Sequence, residues 1–310
     1  MRDGGPRFDV EVPNNGYAWW YVDALSDDGA HGLTIIAFIG SVFSPYYAAA
    51  RRRGDADPRE HCALNVALYS RGKHWALTER PRAALEQSES MLGIGPSAMR
   101  WDGGALTVDI DELAVPRFTR LRGQIKIFPR ALTTCVNELD PGGGHYWWPI
   151  APVARVEVAM NNPALNWSGS GYLDSNWGAR ALEDDFSTWT WSRADMADGA
   201  AALYDAQRRH RGPISLAYRF DKTGTAEAFE LPPVMKLPAT GWRMARPTRS
   251  DGKTRVLRTL EDTPFYARTV IETQLLGAQV KAVHESLSLD RFRTRVVQMM
   301  LPFRAPRARR

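Results

Sequence analysis

A chain of 310 residues, 44% hydrophobic and 24% charged, has the composition of a folded globular protein. It is long enough for two domains and buries its core without needing a disulfide or structural metal. Two cysteines, Cys62 and Cys135, exclude a disulfide framework and suit a reducing compartment. Residues 1–6 hold no apolar stretch, so no signal peptide is expected. The most apolar run, 33–43, falls far short of the ~20 residues a spanning helix needs. The expected location is therefore cytoplasmic. The net charge of +5 is carried mostly by arginines, with clusters at Arg51-Arg52-Arg53 and from Arg304 to Arg310. Such clusters suit an anionic lipid surface or a merely solvated face; no zinc-finger, basic-zipper, RRM or KH pattern points to nucleic acid. Eleven Trp, ten Tyr and eleven Phe imply either an aromatic core or a lining for something large and apolar.

Short β-type runs bounded by Gly, Pro and Asp recur along the chain. Strands are predicted over 17–22, 33–43, 63–69, 106–110, 124–128, 153–158 and 165–172. The series continues with 214–220, 227–231, 255–260, 266–272, 279–289 and 293–301. Helical pattern is scarce: a short turn over 45–53, and an Ala-rich segment over 195–209. Strands without α/β alternation predict β-barrels or sandwiches. The expected organisation is an N-terminal β domain over 1–192, a helical linker over 193–212 and a C-terminal β domain over 213–310.

Common chemical motifs are missing. Gly93-Ile94-Gly95 lacks the third glycine and the helix of a dinucleotide loop, and Gly142-Gly143-Gly144 is not followed by Lys-Ser/Thr. The six histidines show no metal-ligand spacing, so neither metal nor cofactor is expected. Cys62 opens an apolar strand and reads as a small core residue rather than a nucleophile.

Two segments stand apart: Gly144-His145-Tyr146-Trp147-Trp148-Pro149, and the run from Trp167 to Gly178 containing Tyr172-Leu173-Asp174-Ser175-Asn176. If both are extended, alternation gathers His145 with Trp147, and Tyr172 with Asp174 and Asn176, on single faces. Asp is depleted in strands, so Asp174 asks for a reason. The alternatives are a polar turn at 174–176 and a histidine satisfied in a loop or core.

The stretch from Gly16-Tyr17-Ala18-Trp19-Trp20-Tyr21-Val22-Asp23 into His31-Gly32-Leu33-Thr34 resembles the carotenoid 1,2-hydratase family, also called hydroxyneurosporene synthase. Similar runs include His61-Cys62-Ala63-Leu64-Asn65, Trp147-Trp148-Pro149-Ile150-Ala151-Pro152, Gly171-Tyr172-Leu173-Asp174, Leu260-Glu261-Asp262-Thr263-Pro264 and Val283-His284-Glu285-Ser286. The resemblance implies a mainly β fold of two lipocalin-like units with few short helices. It also implies cofactor-independent addition of water across the terminal C1–C2 double bond of an acyclic carotenoid such as neurosporene or lycopene. The family's functional positions fall on His145, Trp147, Tyr172 and Asp174.

An isolated alkene offers no carbonyl handle, so hydration should start with protonation at C2, leaving a tertiary cation at C1. A solvated Asp, with a pKa of about 3.9, is rarely the acid at neutral pH; burial against Trp147 would favour that form. Water then attacks C1, with His145 or Asp174 itself receiving its proton. A hydrocarbon substrate also implies peripheral membrane contact. The rival readings are a lipocalin-like cyclase guiding a pericyclic reaction of a polyene, which needs no buried acid, and a non-catalytic carotenoid carrier. Trp19, Trp20 and Trp177 are open between core and substrate lining, as is the oligomeric state.

Overall fold

The computed structural model describes residues 4–308; the expectation about the extreme N-terminus (1–3) and the last two arginines of the basic tail lie outside the described residues. The chain divides into two compact units, Met1–Ala181 with Met299–Arg310, and Leu182–Gln298. The boundary therefore falls at 181/182 rather than 192, and the C-terminal segment belongs with the first unit.

The first unit is built on one sheet: β1 (Tyr17–Ser26), β2 (Gly32–Ile39), β3 (Ala63–Tyr69), β4 (Lys73–Leu77), β5 (Leu85–Gln87), β6 (Met91–Ile94), β7 (Ser97–Trp101), β8 (Leu106–Ala114), β9 (Thr119–Pro129), β10 (Asn137–Glu138), β11 (His145–Asn162) and β12 (Ala164–Gly178). Strand order is β4-β3-β2-β1-β12-β11-β9-β8-β7-β6-β5, with β10 on β11. Every pairing in it is antiparallel between strands close in sequence, except that β1 meets β12. That one long-range closure brings the two ends of the unit together. The expected short helix forms at α1 (Pro45–Arg51), where Ser44 caps the backbone N–H groups of Tyr46 and Tyr47 and Pro45 needs no hydrogen bond.

β1 is rich in aromatic residues and is buried on both faces. One face carries Ala18, Trp20, Val22 and Ala24 into a hydrophobic core shared with Ile35, Val66, Val156 and Leu173. The opposite face carries Tyr17, Trp19, Tyr21 and Asp23. Trp20 is thus core, Trp19 faces the other way, and Trp177 stacks on Tyr146 with ring centroids 5.2 Å apart.

β11 pairs with β12 along most of its length, but the register shifts twice, between Trp148 and Ala151 and between Ala151 and Ala154. Each shift sets three residues of β11 against two of β12. Pro149 and Pro152 lie inside these bulges, where a missing N–H costs the ladder nothing. The proline spacing of the 147–152 run therefore has a structural cause.

The second unit holds a seven-stranded sheet formed by β13 (Phe186–Met196), β14 (Gly199–Arg208), β15 (Ile214–Asp221), β16 (Ala226–Ala228), β19 (Arg255–Asp262), β20 (Tyr266–Leu275) and β21 (Ala278–Ser288). The hairpin β17 (Val234–Leu237) and β18 (Arg246–Arg249) stands beside them. A compact cluster including Ala194, Leu203, Ile271 and Ala282 is its core.

Three sequence expectations are corrected here. The 193–212 helical linker is instead the β13–β14 hairpin, turning at Ala197-Asp198 before Gly199. Its alanines pack between neighbouring strands, and that tertiary pairing overrides their helix preference. The strand expected over 293–301 is a short helix, Arg295–Met300, burying only Val297. The strand expected over 227–231 stops at Ala228, ahead of Pro232-Pro233, which have no N–H to offer.

Candidate active site

The β1–β12 register places Tyr21 opposite Asp174, Asp23 opposite Tyr172 and Trp19 opposite Asn176. On the other side of β12, Trp147 lies opposite Asn176 and His145 opposite Gly178. Alternation therefore turns Tyr17, Trp19, Tyr21 and Asp23 of β1, Tyr172, Asp174 and Asn176 of β12, and His145 and Trp147 of β11 to one face. All nine are buried, with Asp23, His145, Trp147 and Tyr172 at 0% exposure and Asp174 at 4%. Asp174 is a strand residue, so the polar-turn alternative falls away.

Asp174 is held by two neutral donors. The Trp147 indole Nε1 donates to Oδ2 at 3.0 Å, and the Tyr172 hydroxyl donates to the same oxygen at 2.9 Å. The two donors use both lone pairs of Oδ2, so a neutral Asp174 carries its hydrogen on Oδ1. Burial above all, then the adjacent Asp174 carboxylate, holds the Tyr172 phenol well above the usual tyrosine range, with Asp23 adding to the same push. Tyr172 accordingly stays a donor across neutral and alkaline pH.

His145 is fixed by Tyr17. The phenol oxygen lies 3.0 Å from Nδ1, and the two rings stack with centroids 5.8 Å apart. Gly178 makes this approach possible, because a Cβ there would sit 2.7 Å from His145 Nδ1 and 2.8 Å from Tyr17 Cε1. The structure thus brings Trp147 and Tyr172 onto the Asp174 carboxyl, and places His145 on the same face, one β11 pleat from Trp147.

Three residues of this face escaped the sequence reading: Tyr17, Tyr21 and Asp23. The Tyr21 hydroxyl donates to Asp23 Oδ2 at 3.3 Å, repeating two strand positions away what Tyr172 does for Asp174. The signal that finds them is the Tyr-X-Asp pattern at both 21–23 and 172–174, each inside a strand.

Other candidates drop out or change meaning. Burial pushes the Cys62 thiol up to about 12, leaving no thiolate for catalysis. Among the described residues no cluster of three or more His, Cys, Asp or Glu side chains is arranged to hold a metal ion. Of the basic clusters, Arg51 lies over the Tyr47 ring, Arg304 lies over Trp75, and Arg307 pairs with Glu79. Those three guanidiniums have intramolecular work, whereas Arg52 and Arg53 are exposed.

Comparison with known proteins bears on the family. The family profile described as carotenoid hydratase CrtC matches residues 35–310. An acyclic carotenoid 1,2-hydratase of Thiocapsa roseopersicina is 57% identical over 307 residues, covering 98% of this chain and 76% of that protein. The chain belongs to the CrtC carotenoid hydratase family. Solved structures similar to this CrtC-family chain share its fold at low identity. A putative AttH from Nitrosomonas europaea aligns with a TM-score of 0.59 at 15% identity, over 88% of this chain and 92% of that one. Kievitone hydratase from Nectria haematococca aligns at 0.55 and 11%, over 93% and 98%. The lipocalin-like β architecture expected of the family is the one observed.

Proposed function

We propose that this chain is an acyclic carotenoid 1,2-hydratase in which Asp174 is the acid that protonates C2 of the terminal C1–C2 double bond. The observation that carries the reading is the buried Asp174 carboxyl, with Trp147 and Tyr172 both donating to Oδ2. With Oδ2 so occupied, Oδ1 delivers the proton. As it leaves, negative charge develops on a carboxylate already facing two donors, which is stabilisation realised where the reaction needs it. The tertiary cation at C1 forms in a face rich in indole and phenol rings, each contributing about 0.5–2 kcal/mol to a desolvated cation. His145, locked by Tyr17, borders the same face two residues from Trp147. Neurosporene and lycopene are the proposed substrates, their unactivated trisubstituted ends requiring this order of events.

A substrate dissolved in lipid favours peripheral membrane contact. Supporting it, Met299 and Phe303 are exposed at 65% and 79%, an apolar pair suited to a lipid surface. Among the described residues no helix is long and apolar enough to cross a membrane. Liposome co-sedimentation should fall when Met299 and Phe303 are both replaced by Ser; unchanged sedimentation would remove this surface from consideration.

The decisive experiment is expression in a lycopene-producing host and turnover in heavy water. The product should carry one non-exchanging deuterium at C2 and oxygen from water on C1. Asp174→Asn should bind polyene and hydrate none of it; full activity would remove Asp174 as the acid. A cyclised product without deuterium would instead mark a pericyclic catalyst, and unchanged lycopene a carrier.

A further inference from the structure

The site is built on a repeated motif. Tyr21-Val22-Asp23 on β1 and Tyr172-Leu173-Asp174 on β12 run antiparallel, with Tyr21 opposite Asp174 and Asp23 opposite Tyr172. Each tyrosine hydroxyl donates to Oδ2 of the aspartate two residues on, at 3.3 Å in the first pair and 2.9 Å in the second. The Tyr21 and Tyr172 rings meet edge to face, 6.3 Å between centroids. A local twofold therefore relates two tyrosine-supported carboxyls on one buried face. Asp23 is 0% exposed, and a second carboxyl buried beside the first depends on hydrogen-bond partners such as Tyr21.

The two halves differ in their surroundings. Asp174 has the Trp147 indole as a second donor. Asp23 faces Thr34 across the β1–β2 ladder. Thr34 is 3% exposed, and its hydroxyl has no protein partner. Beyond Thr34 on the same face stands Ala67, which offers only a methyl. A buried hydroxyl left unbonded is unfavourable, and a bound water is a polar partner that would satisfy it.

We propose that Asp23 is the base of the hydration, taking the proton from a water held between its carboxylate and the Thr34 hydroxyl. This rests on the reading of Asp174 as the acid. Asp174 gives its Oδ1 hydrogen to C2 as the π pair of C1=C2 forms the new C–H bond. A water lone pair then forms the C1–O bond, and the resulting oxonium loses one proton to the Asp23 carboxylate. Return of that proton to Asp174 resets the pair, and the net change is one water added. Acid and base are thus separate carboxyls on adjacent strands, and the acid recovers the proton by way of Asp23 rather than directly from the added water.

The test measures two outcomes in heavy water: hydration, and deuterium appearing at C2 of recovered substrate. Exchange requires protonation by Asp174, rotation about the C1–C2 bond of the cation, and loss of the original C2 proton back to the carboxylate. Asp23→Asn should lower hydration by about 100-fold or more while recovered carotenoid continues to gain deuterium. Asp174→Asn should abolish both readouts; an active Asp174→Asn would overturn the acid assignment separately from this one. Hydration by Asp23→Asn at the wild-type rate overturns the proposal, as does a folded variant that loses exchange and hydration in equal measure. If Asp23→Asn does not fold, Tyr21→Phe retains the carboxyl and removes its donor. A lowered ratio of hydration to exchange in that variant supports the assignment, and an unchanged ratio overturns it.

Discussion

Tyr172→Phe removes one oxygen from the site and leaves the buried ring in place. What disappears is the hydroxyl 2.9 Å from Asp174 Oδ2. A hydrogen bond to a charged acceptor contributes about 1.5–3 kcal/mol. If that interaction matures only as Asp174 gives up its proton, its loss appears in kcat, as a fall of about 10- to 150-fold. Trp147→Phe removes the other donor to the same oxygen, so the two substitutions should couple rather than add. The assay is turnover of detergent-dispersed lycopene by purified protein, with product separated by polarity, and circular dichroism to check the fold. Wild-type kcat in a folded Tyr172→Phe protein would refute a role for this hydroxyl on Asp174. A loss beyond about 10⁴-fold would exceed what one supporting donor supplies and would make Tyr172 a proton carrier itself.

Further outcomes follow from other sites. Gly178→Ala drives a methyl between His145 and Tyr17 and should lower activity, with about 1–3 kcal/mol of stability lost in urea denaturation. Burial holds the His284 imidazole down at about 4, with Arg246 pushing the same way and Asp205 opposing. The folded state thus favours neutral His284. This contribution is complete above the unfolded value near 6.5 and is lost as pH falls from there toward 4, about 3 kcal/mol in all. His284→Gln should flatten that acid limb in urea titrations at pH 7 and 4.5. Arg80 Nη2 lies 2.7 Å from buried Glu112 Oε2, so Arg80→Met should cost about 3–5 kcal/mol by stranding the carboxylate; a denaturation midpoint equal to wild type would contradict this.

Much of the site was legible in the sequence because alternation is a strict geometric rule. Tyr172 and Asp174 share a face on any extended reading of 165–178, as do His145 and Trp147. Meeting on one carboxyl oxygen depends on β11 lying beside β12, a nearest-neighbour hairpin that the sequence order favours. Tyr21 and Asp23 were not legible as part of the site, because their neighbour β12 is about 150 residues away in the chain and no local pattern specifies such a closure. The Ala-rich stretch 195–209 shows the opposite failure. Its composition favours a helix, yet Asp198-Gly199 is a hairpin turn signal and both flanks are paired strands. Local propensity yielded there to sheet contacts on both sides.

The paired bulges of β11 decide where its length can vary. Each bulge takes up one extra residue of β11, and the ladder resumes on either side with the faces unchanged, so His145 and Trp147 face Asp174 while Val156 and Val158, further along, face the core. Deleting one residue inside either bulge would leave two residues of β11 against two of β12 and keep the imidazole and indole on the Asp174 face, whereas a deletion in the regular ladder beyond the bulges would turn them over unless a bulge absorbs it. The two bulges thus act as slack in β11, places where a single residue can be lost without changing which side chains meet Asp174.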